Sequence, residues 1–149
     1  MNEAESTVAT MTCKTLPDLH ALVDPLIDAR VSYDDFVSQY GRPGEDGCYG
    51  LVRHLYTVGL QVDLEADPEV ALRQLVEIWG PRDPRDPLTL VQPWDAYILA
   101  TAHPWSDHVG VVMDALTFVN VRRRTGVVRE RLHTWRPKLV QLARLRMLM

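Results

Sequence analysis

An α+β fold, with N-terminal helices packed on an antiparallel β-sheet, is what the order of apolar patterns predicts. Apolar residues recur at helical spacing through the first half of the chain and change to strand alternation near Asp95. Helices first and strands second argue for segregated elements rather than βαβ units. The 149 residues, 46% hydrophobic and 24% charged, suit one domain with a sizeable core.

Residues 1–15 are polar, carry Glu3 and Glu5, and read as a flexible leader before a single domain over 16–149. They lack the basic and apolar regions of a secretory signal, so synthesis in the cytoplasm and delivery by another route are expected. Between residues 16 and 30, Leu19, Leu22, Val23, Leu26 and Ile27 form a helical stripe interrupted by Pro25, predicting a kinked helix or two short ones. Residues 40–44 form a loop. From Cys48 to Gly59, Leu51, Val52, Leu55 and Val58 share one stripe of an amphipathic helix. Asp67 and Pro68 make a good helix start, and that helix is expected to run to Trp79. The proline-rich stretch from Pro81 to Pro87 is a connector. Strands are expected at 95–100, 108–113, 116–121 and 126–132, with a hairpin around Asp114-Ala115. The segment 137–149, with Leu139, Leu142 and Leu145 spaced by three, reads as a helix.

Composition narrows the function classes. No apolar run approaches the roughly 20 residues of a membrane helix. Cys13 and Cys48 are too few for a disulfide scaffold or a paired-cysteine zinc site, and no metal-binding histidine spacing occurs, so neither metal nor cofactor is expected. The net charge of −4 conceals an asymmetry: from Val121 onward nine Lys or Arg face one acid, Glu130. The basic residues sit among Val, Leu and Trp with no aromatic stacking ladder, which disfavours nucleic acid. They fit docking on an acidic surface, either the chain's own N-terminal part or a partner protein. The apolar ending should fold back on its own domain or dock on such a partner.

The chemistry-bearing residues begin with Cys48. It opens a helix, where unpaired backbone N–H groups and the helix dipole favour a thiolate. Leu51, Val52 and Leu55 place it on the core-facing side. A lone buried cysteine is ordinarily a small hydrophobe, so its interest depends on His108 and Asn120. His108 shares a strand face with Gly110 and Val112, and Asn120 shares one with Leu116 and Phe118. A register pairing 112 with 116 would set His108 directly opposite Asn120, given a turn longer than two residues or a bulge. Asn120 would then orient one imidazole nitrogen while the other served Cys48 as base. His103, in a Pro-Trp loop, is a candidate to line the cleft, whereas His54 falls on another face of its helix.

Three stretches resemble the NlpC-type cell-wall peptidases, papain-like cysteine peptidases. Gly47-Cys48-Tyr49-Gly50-Leu51-Val52 is similar to the family's Asp-Cys-(Ser or Trp)-Gly-(Leu or Phe)-Val signature. Pro93-Trp94-Asp95-Ala96-Tyr97-Ile98-Leu99 is similar to its Pro-Gly-Asp strand, in a form with Trp for Gly that looks like bacteriophage tail sequences. His108-Val109-Gly110-Val111-Val112 is similar to its His-Val-Gly-Ile-Tyr strand, and Asn120 falls on the third catalytic position, commonly His. The resemblance implies a papain-like fold with Cys48, His108 and Asn120 catalytic. Tyr40, with Tyr33 in reserve, would bind the oxyanion beside the Cys48 N–H, and Asp46 would cap the helix where Gly47 replaces the usual Asp. It implies a phage tail-tip hydrolase, carried in the virion, that cleaves peptidoglycan stem-peptide amide bonds as the genome passes and that assembles with other tail-tip or hub proteins. The alternative is a structural tail-tip subunit that keeps the fold without hydrolysis.

Overall fold

The computed structural model describes residues 16–101 and 107–149. Three helices come first: α1 Leu19–Asp28, α2 Tyr33–Tyr40 and α3 Gly47–Leu60. Each starts on a side-chain cap, Asp18, Ser32 or Asp46, which accepts from a backbone N–H that the first turn leaves unpaired. Pro25 sits inside α1 without splitting it, because it leaves unmade only the one bond that its missing N–H would have given. A short helix, α4 Pro68–Ala71, leads into β1 Leu75–Trp79. After the connector come β2 Ala96–Leu99, β3 His108–Val112, β4 Thr117–Arg122 and β5 Gly126–Arg131. The turn α5 Leu132–Trp135 then precedes β6 Leu139–Leu145.

The strands form one antiparallel sheet of six in the order β1-β6-β2-β3-β4-β5. The α+β class is therefore as the sequence predicts. Helices α1 to α3 cover one face, where Leu51, Val52, Leu55 and Tyr56 meet Val111, Val119, Val121 and Val127. The other face buries Tyr97, Leu99, Val112, Phe118, Leu139 and Leu142 beneath the proline-rich connector and α5.

Two expected helices are strands instead. Residues 75–79 do not continue the helix from Pro68; the run Leu-Val-Glu-Ile-Trp has the β-branched and aromatic content of a strand and pairs with β6. The C-terminal segment is β6, an interior strand of the sheet, between β1 and β2. A bulge interrupts its alternation: Ile98 pairs with Gln141 but Leu99 pairs with Leu139, so Val140 is an extra residue. The bulge moves Leu139 onto the face of Leu142, while Leu145 turns to the helix-covered face, so the three leucines do not form one stripe. The C-terminus thus folds back on its own domain.

Trp94 replaces the glycine of the resembled motif at a position with φ of +78°, and its side chain is fully buried. Its indole N–H donates to the Pro17 carbonyl at 3.1 Å. Gly59 makes room for the ring: a Cβ there would lie 2.2 Å from a Trp94 ring carbon and 2.9 Å from Leu22 Cδ1.

Two stability predictions follow from this packing. Gly59→Ala should destabilise the fold by about 1–3 kcal/mol through overpacking, read as a lower urea midpoint at unchanged slope. Deleting residues 138–149 removes β6 from between β1 and β2, and the truncated chain should show no cooperative thermal unfolding by circular dichroism. A native-like transition in the truncated chain would show that the sheet forms without β6.

Candidate active site

The start of α3 is tightly fitted. Asp46 accepts a hydrogen bond from the Cys48 N–H at 3.1 Å, and the Tyr33 hydroxyl accepts one from the Gly47 N–H at 3.1 Å. A Cβ on Gly47 would sit 2.5 Å from the Tyr33 ring, so the aspartate of the resembled signature would not fit here. The cap has moved back by one position, to Asp46. Arg123 holds its guanidinium over the Tyr33 ring, 4.8 Å from its centre.

Cys48 is buried, with 7% of its surface exposed. Burial, and then the charge of Asp46, push its thiol up to about 12, against hydrogen bonding from the Val109 and Tyr49 backbone. At neutral pH it rests as the neutral thiol.

On the sheet, the His108 Nε2 and the Asn120 Oδ1 are 2.8 Å apart. Behind them the Asn120 Nδ2 donates to Glu130 Oε2 at 2.9 Å, and Arg122 donates to Glu130 Oε1 at 2.9 Å. Arg122 also stacks over Trp135, 4.9 Å from the ring centre. Asn120 is 1% exposed, so this chain of contacts runs through a desolvated side chain. The expected register is corrected. Val112 pairs with Phe118 rather than with 116, because Asp114 folds the turn by accepting from the Leu116 and Thr117 N–H groups. His108 and Asn120 are consequently diagonal neighbours on one face, still within reach of each other.

Strand alternation puts Val109 and Val111 on the helix face and His108 on the opposite one. Cys48 reaches the sheet from the helix side, against the Val109 backbone. The β3–β4 ladder pairs only Val111 with Val119 and Val112 with Phe118. Toward His108 the pairing stops, and a cleft of about 430 Å³ opens there. Cys48, His108, Asp46, Tyr33, Val121 and Trp135 are among the residues that line it. The two faces of the sheet meet in this opening. No hydrogen bond joins Cys48 to His108 among the described residues.

The expected oxyanion group is placed differently. Tyr40 packs its ring on His54 at 4.4 Å and Phe36 at 5.2 Å, and its carbonyl accepts from Arg53; it does not line the cleft. Tyr33 does, and its hydroxyl, which accepts from Gly47, still has its own proton to donate. The Cys48 N–H, the other expected donor, is engaged by the Asp46 carboxylate. His54 is half-buried in the aromatic cluster, where burial and then Arg53 lower its pKa. His103 lies outside the described residues. Among the described residues no three His, Cys, Asp or Glu side chains converge as a metal site. Glu130 was missed from the sequence; its signal is that it is the one acid in the basic stretch, alternating in phase with the strand face opposite Asn120.

No family model matches the chain, and no curated protein matches it. Among solved structures, the chain is similar to a Staphylococcus aureus protein described as similar to lipoprotein, of the NLP/P60 family, at 16% identity and a TM-score of 0.49. The match covers 78% of this chain and 40% of that one, so the chain spans well under half of that protein's length.

Proposed function

We propose that the chain is a cysteine peptidase that hydrolyses amide bonds in peptidoglycan stem peptides. The observation that carries the reading is the shared cleft, which is lined both by Cys48 and by a histidine already anchored by Asn120. With Nε2 engaged by Asn120, Nδ1 of His108 is left to accept the thiol proton. The Cys48 thiolate then attacks the amide carbonyl, and the Tyr33 hydroxyl donates to the oxygen that becomes negative. Collapse breaks the C–N bond while His108 returns the proton to the leaving amine. Water, deprotonated by His108, hydrolyses the thioester and releases a carboxylic acid and the free thiol. Hydrogen bonds of this kind are commonly long at rest and tighten with substrate bound.

The choice of stem peptides as substrate rests on the three motif stretches centred on Cys48, Asp95 and His108. The Trp94 form of the second motif supports placing the enzyme at a phage tail tip, carried in the virion beside tail-tip or hub proteins. Mass spectrometry of purified particles tests that placement, and absence of the chain from them would remove it. A second reading, a structural tail-tip subunit without hydrolysis, is favoured by one observation. Cys48 rests as a thiol pushed up to about 12 and makes no hydrogen bond to His108.

A zymogram on purified peptidoglycan with a Cys48→Ala control separates the two. Under the enzymatic reading, Cys48→Ser and His108→Ala should each cut hydrolysis by about 10³-fold or more, because nucleophile and base act as one unit. Asn120→Ala should leave a measurable remainder, since the amide only orients the base. Clearing by the Cys48→Ala protein, or equal mild effects from all three changes, would place the activity elsewhere.

A separate prediction concerns the thiol. The thiolate is the reactive species, so alkylation of Cys48 by iodoacetamide, in a Cys13→Ser background, should accelerate with pH up to about 12. Asp46→Asn keeps a good helix cap but removes the charge that helps hold the proton on. Its rate profile should move to lower pH; an unmoved profile would show that burial alone sets the thiol.

A further inference from the structure

We infer that Glu130 is a positioning residue that fixes the tautomer of His108 through Asn120. The inference deepens the proposed hydrolase and rests on it for its kinetic consequence, but not for its structural one.

An asparagine amide has an accepting end and a donating end, and a neutral imidazole has one nitrogen of each kind. Neither His108 nor Asn120 alone decides which way round the pair is joined. Turning the amide over would let its NH2 donate to an unprotonated Nε2 and leave the proton on Nδ1. That arrangement has no base for Cys48. Glu130 removes the ambiguity, because an ionised carboxylate only accepts. Its Oε2 lies 2.9 Å from the Asn120 Nδ2, so the NH2 group must face Glu130 and Oδ1 must face His108. The Nε2 at 2.8 Å from that oxygen must then carry the proton, and Nδ1 keeps its lone pair.

The placement is built in. Phe118 pairs with Glu130 and Asn120 with Val128, so Glu130 and Asn120 are diagonal neighbours on one face of the β4–β5 ladder. Arg122, two residues beyond Asn120 on the same strand face, holds the second carboxylate oxygen at 2.9 Å and keeps Glu130 from turning to solvent. Asn120 is buried, so water cannot stand in for the carboxylate at its donating end. Glu130 touches neither the sulfur nor the imidazole; it acts through the amide.

The test measures the tautomer directly, by nitrogen NMR of the full chain carrying ¹⁵N-labelled histidine, at a pH where His108 is neutral. Wild type should show His108 with its proton on Nε2. Glu130→Ala should show a mixture of tautomers, and Glu130→Gln, whose amide oxygen can still accept from Asn120, should return most of the Nε2–H form. On peptidoglycan fragments, Glu130→Ala should lower kcat by about tenfold or more with KM little changed, since a base in the wrong tautomer cannot take the proton. Glu130→Gln should recover most of that loss. A folded Glu130→Ala protein with wild-type tautomer would overturn the inference. If Glu130→Ala does not fold, Glu130→Leu, which likewise offers Asn120 no acceptor, decides by the same reading: a mixture of tautomers supports the inference, and the wild-type tautomer overturns it. Wild-type protein without Cys48-dependent hydrolysis would remove the proposed function, while the NMR result would still decide the role of Glu130.

Discussion

The buried pairing of Asp95 with Arg144 is the interaction on which the sheet, and through it the site, depends. The Asp95 carboxylate is fully buried and receives the Arg144 guanidinium in a two-pronged contact, at 2.7 and 2.8 Å, together with the Gln92 N–H at 2.9 Å. Burial raises its pKa, and hydrogen bonding to Arg144 and Gln92 opposes the rise. Removing one partner from such a pair costs about 3–5 kcal/mol, because the other is left charged and unpaired. Asp95 stands at the entrance to β2 and Arg144 near the end of β6, so the pair fixes the C-terminal strand beside β2. The Asp95 backbone carbonyl accepts from Val112, which ties the same point to β3, the strand that starts with His108.

At the head of α3, one carboxylate meets two conflicting demands. Capping a helix satisfies a backbone N–H that burial would otherwise leave unpaired. Asp46 meets that need at Cys48, but it also brings negative charge to the thiol and occupies the N–H expected to hold an oxyanion. Tyr33 crosses the helix start so closely that only glycine fits at position 47. The steric constraint therefore moves the cap, and the moved cap makes the sulfur harder to ionise. Any chemistry at Cys48 must remove the proton by a base in the cleft rather than begin from a resting thiolate.

How much of this could be read from the sequence varied with the kind of signal. The helix that Cys48 opens was legible because its apolar stripe and cap are local. The strands at His108 and Asn120 were legible because each face alternates cleanly, and the His–Asn contact survived a register error of two residues since that shift keeps both side chains on the same face. Residues 75–79 and 139–145 were misread because both are strands carrying a bulge, which breaks alternation and produces helix-like spacing. The choice between Tyr40 and its reserve Tyr33 was not legible: which of them lines the cleft depends on how α2 lies against α3, and no local pattern reports that.

The charge asymmetry fits docking on either the chain's own acidic N-terminal part or a partner, and the structure gives much of it an internal explanation. Arg144 meets Asp95, Arg122 meets Glu130, and Arg129 and Arg136 lie 3.8 and 3.9 Å from Asp24 and Asp86. The two longest contacts are between exposed groups and contribute little to stability, whereas the desolvated Asp95 pair dominates. Apart from Glu130, which lies within the basic part itself, the acids in these pairs belong to the N-terminal part, so the two parts are complementary. The apolar ending obeys the same logic, because Leu139, Leu142 and Leu145 are core residues of the sheet. Any surface that meets another protein must therefore be sought outside β6, since β6 is already paired on both sides.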